Sequence, residues 1–159
     1  PGGPIQCAVC SASVEEIDRM NILEATKLAM FRVLTTLDGR LSANNFHLAR
    51  TDNSMFELGQ DLNRSETKVL VDGLALKGFP FAHESIVKGD GKSLCIALAS
   101  IAAKVERDAW MMDCDEDFPA YSWARNKGYG TVEHRSALKK HGPCKYHRLS
   151  FLKNILESD

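Results

Sequence analysis

The sequence has no long hydrophobic run. Its longest apolar-rich stretch, Leu94 to Ala103, is interrupted by Ser100 and falls short of the ~20 apolar residues a bilayer span needs. No basic stretch followed by an apolar core marks a secretory signal. Proline is scarce, at five in 159 residues, which with the rest of the composition excludes a collagen-like chain. Net charge is almost absent, with 20 Lys and Arg against 21 Asp and Glu, while 44% of residues are hydrophobic. That balance excludes broad disorder. An initiating Met is also lacking: Pro1-Gly2-Gly3-Pro4 runs straight into Ile5-Gln6-Cys7-Ala8-Val9-Cys10, a pattern that reads as a strand already under way. We therefore expect a segment upstream to be missing, with residues 1–4 a remnant.

What is present suits one compact domain over residues 5–159, long enough to fold without a disulfide or metal staple. The five cysteines, Cys7, Cys10, Cys95, Cys114 and Cys144, are odd in number and read as free thiols of a reducing, cytoplasmic compartment. Cys7 and Cys10 have the spacing of half a zinc site, which Cys114, Cys144, His141 and His147 would have to complete. A second closely spaced pair is absent, and the alternation Ile5, Cys7, Val9 favours one face of a buried strand.

Charge is balanced overall but not locally. Between Tyr121 and Lys153 stand eight basic residues (Arg125, Lys127, Arg135, Lys139, Lys140, Lys145, Arg148 and Lys153) against Glu133 alone; the remainder carries 12 basic and 20 acidic residues. Such blocks are often solvated faces. Here Tyr121, Trp123, Tyr129 and Tyr146 are interleaved with the cations, a mixture that also suits a sugar-phosphate backbone.

The element order reads strand, helix, strand, strand, helix, helix, helix, an α/β arrangement. Ile5–Ser11 is expected as a strand. Ser13 and Glu16 form a capping box opening a helix to about Leu37. Residues 38–68 are polar, weakly patterned and long for a connection, so they read as a surface insertion. Short strands follow over Lys68–Val71 and around His83–Val87. Leu94, Leu98, Ile101, Val105 and Met112 then make one apolar stripe on a helix from Ser93 to about Met112, with small residues suited to packing on a sheet. Asn126–Gly130 is a loop, a helix from Thr131 stops at Gly142-Pro143, and a last helix begins near Ser150.

Two carboxylates stand at strand ends: Asp72 after Val69-Leu70-Val71, and Asp90 after Ile86-Val87-Lys88-Gly89. Carboxylates at the ends of neighbouring strands repel each other, and Mg²⁺ or Mn²⁺ is a natural filling between them. Asp-Gly is equally a turn dipeptide. Lys88–Ser93 imitates a phosphate loop, but the required first glycine is Ile86, so that reading fails. Asp108 is expected in a surface or inter-helix salt bridge, His134 on the surface, and the acidic run Asp113 to Asp117 at a solvated helix end.

Six stretches together resemble the ribonuclease HII family, the bacterial type 2 ribonuclease H: Ser13–Met30, Val69–Gly73, Ile86–Asp90, Ala99–Asp108, Asn126–His134 and His141–Phe151. They run in the family's order and cover most of the chain; residues 38–68 exceed the family's usual connection. The resemblance implies a ribonuclease H-like mixed sheet with flanking helices and a helical C-terminal region, its N-terminal strands missing. It implies a cytoplasmic, monomeric endonuclease, not bound to membranes, that cuts the RNA strand of RNA–DNA hybrids and at ribonucleotides embedded in DNA. It assigns Asp72 and Asp90 as catalytic ligands of a two-metal Mn²⁺ or Mg²⁺ site, and Tyr129 and Lys127 as substrate contacts, Tyr129 packing on the sugar at the RNA-to-DNA junction. The family's other two carboxylates, an adjacent Asp-Glu followed by a Gly-Arg-Gly loop, have no counterpart here. Half of the ligands are thus absent from the chain. The competing expectation is a truncated, inactive nucleic-acid-binding remnant.

Overall fold

The computed structural model describes the backbone of residues 5–42, 46–48 and 65–156, with side chains for 5–40 and 68–152. Two compact units divide the chain: Pro1–Ser11 with Thr26–Ala102, and Ala12–Ala25 with Ala103–Asp159.

The helix expected from Ser13 to Leu37 is two helices, α1 (Val14–Met20) and α2 (Ile22–Ser42). The capping box forms as read: the Ser13 hydroxyl accepts from the Glu16 amide at 3.2 Å, and the Glu16 carboxylate accepts from the Ser13 amide at 2.9 Å. The break lies at Asn21, whose φ of 74° and ψ of 165° fall in a positive-φ region that residues other than glycine rarely occupy. Its Oδ1 accepts from the Leu23 and Glu24 amides at 2.9 and 3.2 Å. Its own amide closes α1 onto the Ile17 carbonyl at 3.0 Å. One asparagine ends the first helix and caps the second, a signal that apolar spacing does not carry.

In the first unit, Ile5–Ser11 is not a strand. Among the described residues no ladder engages it; instead Arg40 and Arg32 of α2 donate to the Cys7 and Ser11 carbonyls at 2.7 and 3.0 Å. Ile5, Cys7 and Val9 are exposed accordingly, which overturns the expected buried face. The expected insertion contains the end of α2 and two short strands, β1 (Phe46–Leu48) and β2 (Ser65–Thr67), paired in parallel with Phe46 opposite Ser65. Residues 43–45 and 49–64 lie outside the described residues, as do 1–4.

Strand β3 (Val69–Asp72) pairs in parallel with β4 (His83–Ile86), Val69 opposite His83 and Asp72 opposite Ile86. Val69 and Val71 point inward, packing with Phe79 and Phe81 and with Met30, Phe31 and Leu34 of α2. The alternation sends Asp72 to the opposite, solvated side. His83 stitches the connection between the strands: its Nδ1 donates to the Phe81 carbonyl at 2.9 Å, and its Nε2 accepts from the Leu76 amide at 3.2 Å.

Helix α3 (Leu94–Asp117) is longer than expected, and its faces are reversed. Ile96, Met111 and Cys114 are buried, whereas Leu94, Leu98, Ile101, Val105 and Met112 are all exposed. The periodicity was sound as a helix signal, but the buried partners of α3 reach its other side.

The second unit is built on aromatic rings. A 3₁₀ turn (Pro119–Tyr121) and short helix α4 (Trp123–Asn126) bring Tyr121 and Trp123 into a stack with centroids 5.1 Å apart. Met111, Cys114, Leu138 and Leu152 complete this core, drawn from α3, α5 (Val132–His141) and α6 (Leu149–Leu156). Helix α5 ends where the sequence indicated, with Gly142 at φ 74° and its amide on the Leu138 carbonyl. Asp18 of α1 caps α6, accepting from the Leu149 and Ser150 amides at 2.8 and 3.0 Å.

Candidate functional site

The carboxylate end of the first unit follows from the parallel pair. Both strands finish at the same level, since Asp72 lies opposite Ile86 and the Gly73 amide donates to the Ile86 carbonyl at 3.1 Å. The chain then turns through Lys88, at φ 55°, into a one-turn 3₁₀ helix, Gly89–Gly91. The Gly89 amide donates to Asp72 Oδ1 at 2.8 Å. A Cβ at Gly89 would lie 2.6 Å from Ile96 Cδ1, so the end of that side chain would have to shift, and 3.4 Å from Asp72 Oδ1. Glycine permits this close approach, and it ties Asp72 to the residue immediately before Asp90. Both carboxylates are exposed, and Asp90 Oδ1 accepts from the Gly91 amide at 2.9 Å.

These donors fit a hard divalent cation in kind. Carboxylate oxygens suit Mg²⁺ and Mn²⁺, and Mg²⁺ commonly takes one or two carboxylates while keeping several waters. Among the described residues, no group of three or more His, Cys, Asp and Glu side chains is arranged to hold a metal. Cys7 and Cys10 thus have no such group around them.

The second unit displays a tyrosine. Lys127, at φ 49°, and Gly128, at φ 77°, turn the chain after α4, and Tyr129 is 65% exposed. Its backbone is pinned from below. The buried Asn126 side chain donates to the Tyr121 carbonyl at 2.7 Å and accepts from the Gly128 amide at 2.8 Å. The Asn126 carbonyl accepts from the Tyr129 amide at 2.8 Å. Arg107 reaches the Lys127 carbonyl at 3.5 Å, and Arg135 Nε donates to the Gly130 carbonyl at 2.8 Å.

Beneath the loop lies a pair of imidazoles that sequence reading missed. His134, expected on the surface, is 5% exposed, and His147 is buried too. His134 Nδ1 donates to the Tyr129 carbonyl at 2.9 Å, so its Nε2 is the acceptor, 3.2 Å from both Trp123 Nε1 and His147 Nε2. His147 Nδ1 accepts from the Cys144 amide at 3.0 Å. Every ring nitrogen is matched with both rings neutral. Desolvation, reinforced by His134, accordingly lowers the His147 pKa to about 4. Thr131, whose hydroxyl accepts from the His134 amide at 3.2 Å, caps α5 and fixes where the histidine enters the helix.

The aromatic interleaving of the basic block is corrected by the same core. Tyr121 and Trp123 are buried and Tyr146 half-buried against Trp110 and Phe118, because they supply the apolar area on which this unit folds. Of these four rings, Tyr129 is the one left open to solvent. Of the block's cations, Arg125, Arg135, Lys139, Lys140 and Lys145 are exposed. Arg125 faces Glu133 at 3.4 Å, Lys145 faces Asp117 at 3.9 Å, and the expected surface pair forms between Lys104 and Asp108 at 2.6 Å.

Among the described residues no helix is long and apolar enough to cross a membrane. A family model described as Ribonuclease HII matches residues 9–154. Similar curated proteins include ribonuclease HII of Albidiferax ferrireducens, 42% identical over 145 residues, which are 91% of this chain and 58% of the relative. Ribonuclease HII of Paramagnetospirillum magneticum is 46% identical over 140 residues, covering 88% and 57% of the two chains. Ribonuclease HII of Christiangramia forsetii is 41% identical over 148 residues, covering 92% and 62%. The chain therefore spans less than two-thirds of the length of these relatives. On the strength of the family match and these identities, the chain belongs to the ribonuclease HII family.

Proposed function

We propose that this chain carries part of the machinery of a metal-dependent endonuclease that cuts RNA paired with DNA, including single ribonucleotides embedded in a DNA duplex. The observation that carries the reading is the carboxylate end, where Asp72 is fixed by the amide of Gly89 next to Asp90. Asp72 and Asp90 would hold Mn²⁺ or Mg²⁺. Bound there, such an ion supplies activation of a water and stabilisation of the leaving 3′-oxygen in an in-line displacement. The parallel pairs would belong to a ribonuclease H-like mixed sheet within a single domain over residues 5–159, and the protein would act as a cytoplasmic monomer.

The remaining roles fall to the second unit. Lys127 and the exposed cations neutralise phosphates, a term that carries affinity without sequence preference. Tyr129 offers an exposed ring that packs on the sugar at the RNA-to-DNA junction, where the 2′-OH separates ribose from deoxyribose. The pinned loop supports this, since a ring on a fixed backbone measures the sugar it meets.

One observation favours a second reading, a chain that binds hybrids without cutting: Asp72 and Asp90 are not joined by a third ligand among the described residues. The test uses a duplex carrying one ribonucleotide. Mn²⁺ uptake by calorimetry and cleavage are followed for this chain, for Asp72→Asn and for Asp90→Asn. Cleavage is also followed with a segment bearing the family's Asp-Glu and Gly-Arg-Gly joined ahead of Ile5. Weak cutting by the chain, strong cutting by the extended chain and loss with either substitution are expected. Binding without cutting in every form, with Asp72→Asn and Asp90→Asn silent, decides for the second reading.

A further inference from the structure

We propose that His134 is a positioning residue for Tyr129: its buried imidazole, held as the Nδ1–H tautomer by Trp123 and His147, fixes the Tyr129 carbonyl and sets how the exposed phenol meets a ribose. The inference deepens the reading of Tyr129 as a sugar contact and rests on it.

The argument is one of donors and acceptors. The Tyr129 carbonyl accepts from the Thr131 amide at 2.8 Å and from His134 Nδ1 at 2.9 Å. The first bond is local to the turn. The second comes from a side chain that cannot drift, because its helix start is fixed by Thr131 and its ring is enclosed by Trp123, Tyr121 and His147. A neutral imidazole has two tautomers, and only Nδ1–H serves the carbonyl. Two donors converge on Nε2 to select it: Trp123 Nε1–H, which is donor only, and His147 Nε2–H, which is committed as a donor because its Nδ1 accepts from the Cys144 amide. The chain of bonds runs from the Cys144 backbone through two rings to the Tyr129 carbonyl. Arg135 and Arg107 hold the carbonyls on either side from exposed positions, where water competes. His134 is the buried anchor.

The experiment separates this role from simple packing. In His134→Asn the amide nitrogen occupies nearly the place of Nδ1 and keeps the bond to the Tyr129 carbonyl. His134→Gln reaches the place of Nε2 and keeps the Trp123 and His147 side instead. Amide hydrogen exchange of Gly128 to Thr131 is measured by NMR on the full chain. Binding is measured by fluorescence anisotropy to a duplex with one ribonucleotide and to its all-DNA counterpart, without divalent metal. His134→Asn is expected to keep both loop protection and the ribose preference within about twofold. His134→Gln is expected to speed exchange and shrink the preference by up to about tenfold, the range of one buried hydrogen bond. Equal behaviour of the two variants, or a worse result for Asn, overturns the proposal. Should either variant unfold, the imidazole ¹⁵N shifts of the unmodified chain decide, since an Nε2–H tautomer at His134 is incompatible with it. Tyr129→Ala tests the underlying reading separately. If it leaves the ribose preference unchanged, the sugar contact is wrong, while the exchange contrast between Asn and Gln still reports whether His134 holds the loop.

Discussion

The two units solve opposite problems with the same chain. In the first, two short parallel strands carry Asp72 and Asp90 to an open end, where both carboxylates are exposed. In the second, rings from Tyr121, Trp123, His134 and His147 close on one another, and each hydrogen-bonding nitrogen among Trp123, His134 and His147 finds a partner. The difference teaches what each site needs. The proposed cation site needs carboxylates that water and a metal can reach. The proposed sugar contact at Tyr129 needs a backbone that does not move, and a satisfied buried network is rigid in that way.

The sharpest way to break this comparison is to remove a ring. Trp123, 2% exposed, stacks on Tyr121 and donates to His134. Trp123→Ala should cost about 3–5 kcal/mol, through lost burial and the cavity left behind. Trp123→Phe, which keeps most of the volume, should cost less than half of that. Asp72→Asn at the open end should cost under about 1 kcal/mol, because Oδ1 remains to accept the Gly89 amide. Urea denaturation followed by circular dichroism measures all three. An Asp72→Asn penalty as large as that of Trp123→Ala would abolish the contrast.

Acid should act next. The folded pKa of His147 is lowered from 6.5 to about 4, so between those values the unfolded chain binds the proton that the folded chain refuses. Stability is therefore complete above about pH 6.5 and falls as pH drops toward 4, by up to about 3 kcal/mol. The groups facing the ring are His134, Cys144, Tyr121 and Trp123, none of them anionic, so no counter-ion offsets the cost. His147→Gln should flatten the stability profile across this window. A profile unchanged by that substitution would show that the pair is not buried neutral.

Asp18 gives a smaller effect of the same sign by the opposite chemistry. The Ser150 hydroxyl, with the Leu149 and Ser150 amides, lowers its pKa below the usual carboxylate range. Its contribution is present above the unfolded value and disappears as pH falls through the lowered folded one. Asp18→Ala should cost about 1 kcal/mol at pH 7, the worth of a helix cap. In chemical denaturation the cost should shrink as pH falls through that lowered value. Persistence of the full cost below it would mean that packing, not charge, is what Asp18 supplies.

The sequence carried unequal amounts of this. Asp72 was legible because Asp-Gly after the apolar triplet Val69-Leu70-Val71 marks a strand end, whereas Asp90 lies beyond the end of β4 in a 3₁₀ turn; the capping box and the Gly142 stop are equally local. Asn21 escaped because apolar spacing runs through it without interruption; only its φ and its two accepted amides reveal the break. His134 escaped for a deeper reason. Burial of a polar ring depends on partners 11 and 13 residues away, Trp123 and His147, and no local pattern announces that they converge. The strand expected at Ile5 failed for the converse reason, since alternation states a preference that only a neighbouring ladder fulfils.

Helix α3 is where periodicity was strongest and the burial most different, and it yields the smallest expected effect. A stripe at helical spacing predicts an apolar face, and burial requires something to cover it. Ile101 is 61% exposed and Val105 63%, whereas Ile96 on the other side touches the space above Gly89. Ile101→Ser and Val105→Ser should therefore change stability by no more than about 0.5 kcal/mol each, as exposed positions do. Ile96→Ala, from a buried position, should cost about 2–4 kcal/mol. Paired denaturation curves on this chain check the ordering. If the two serine variants cost as much as Ile96→Ala, the stripe is covered in solution and the exposed face of α3 would have to be redrawn; if they are silent, the faces of α3 stand as the structure places them.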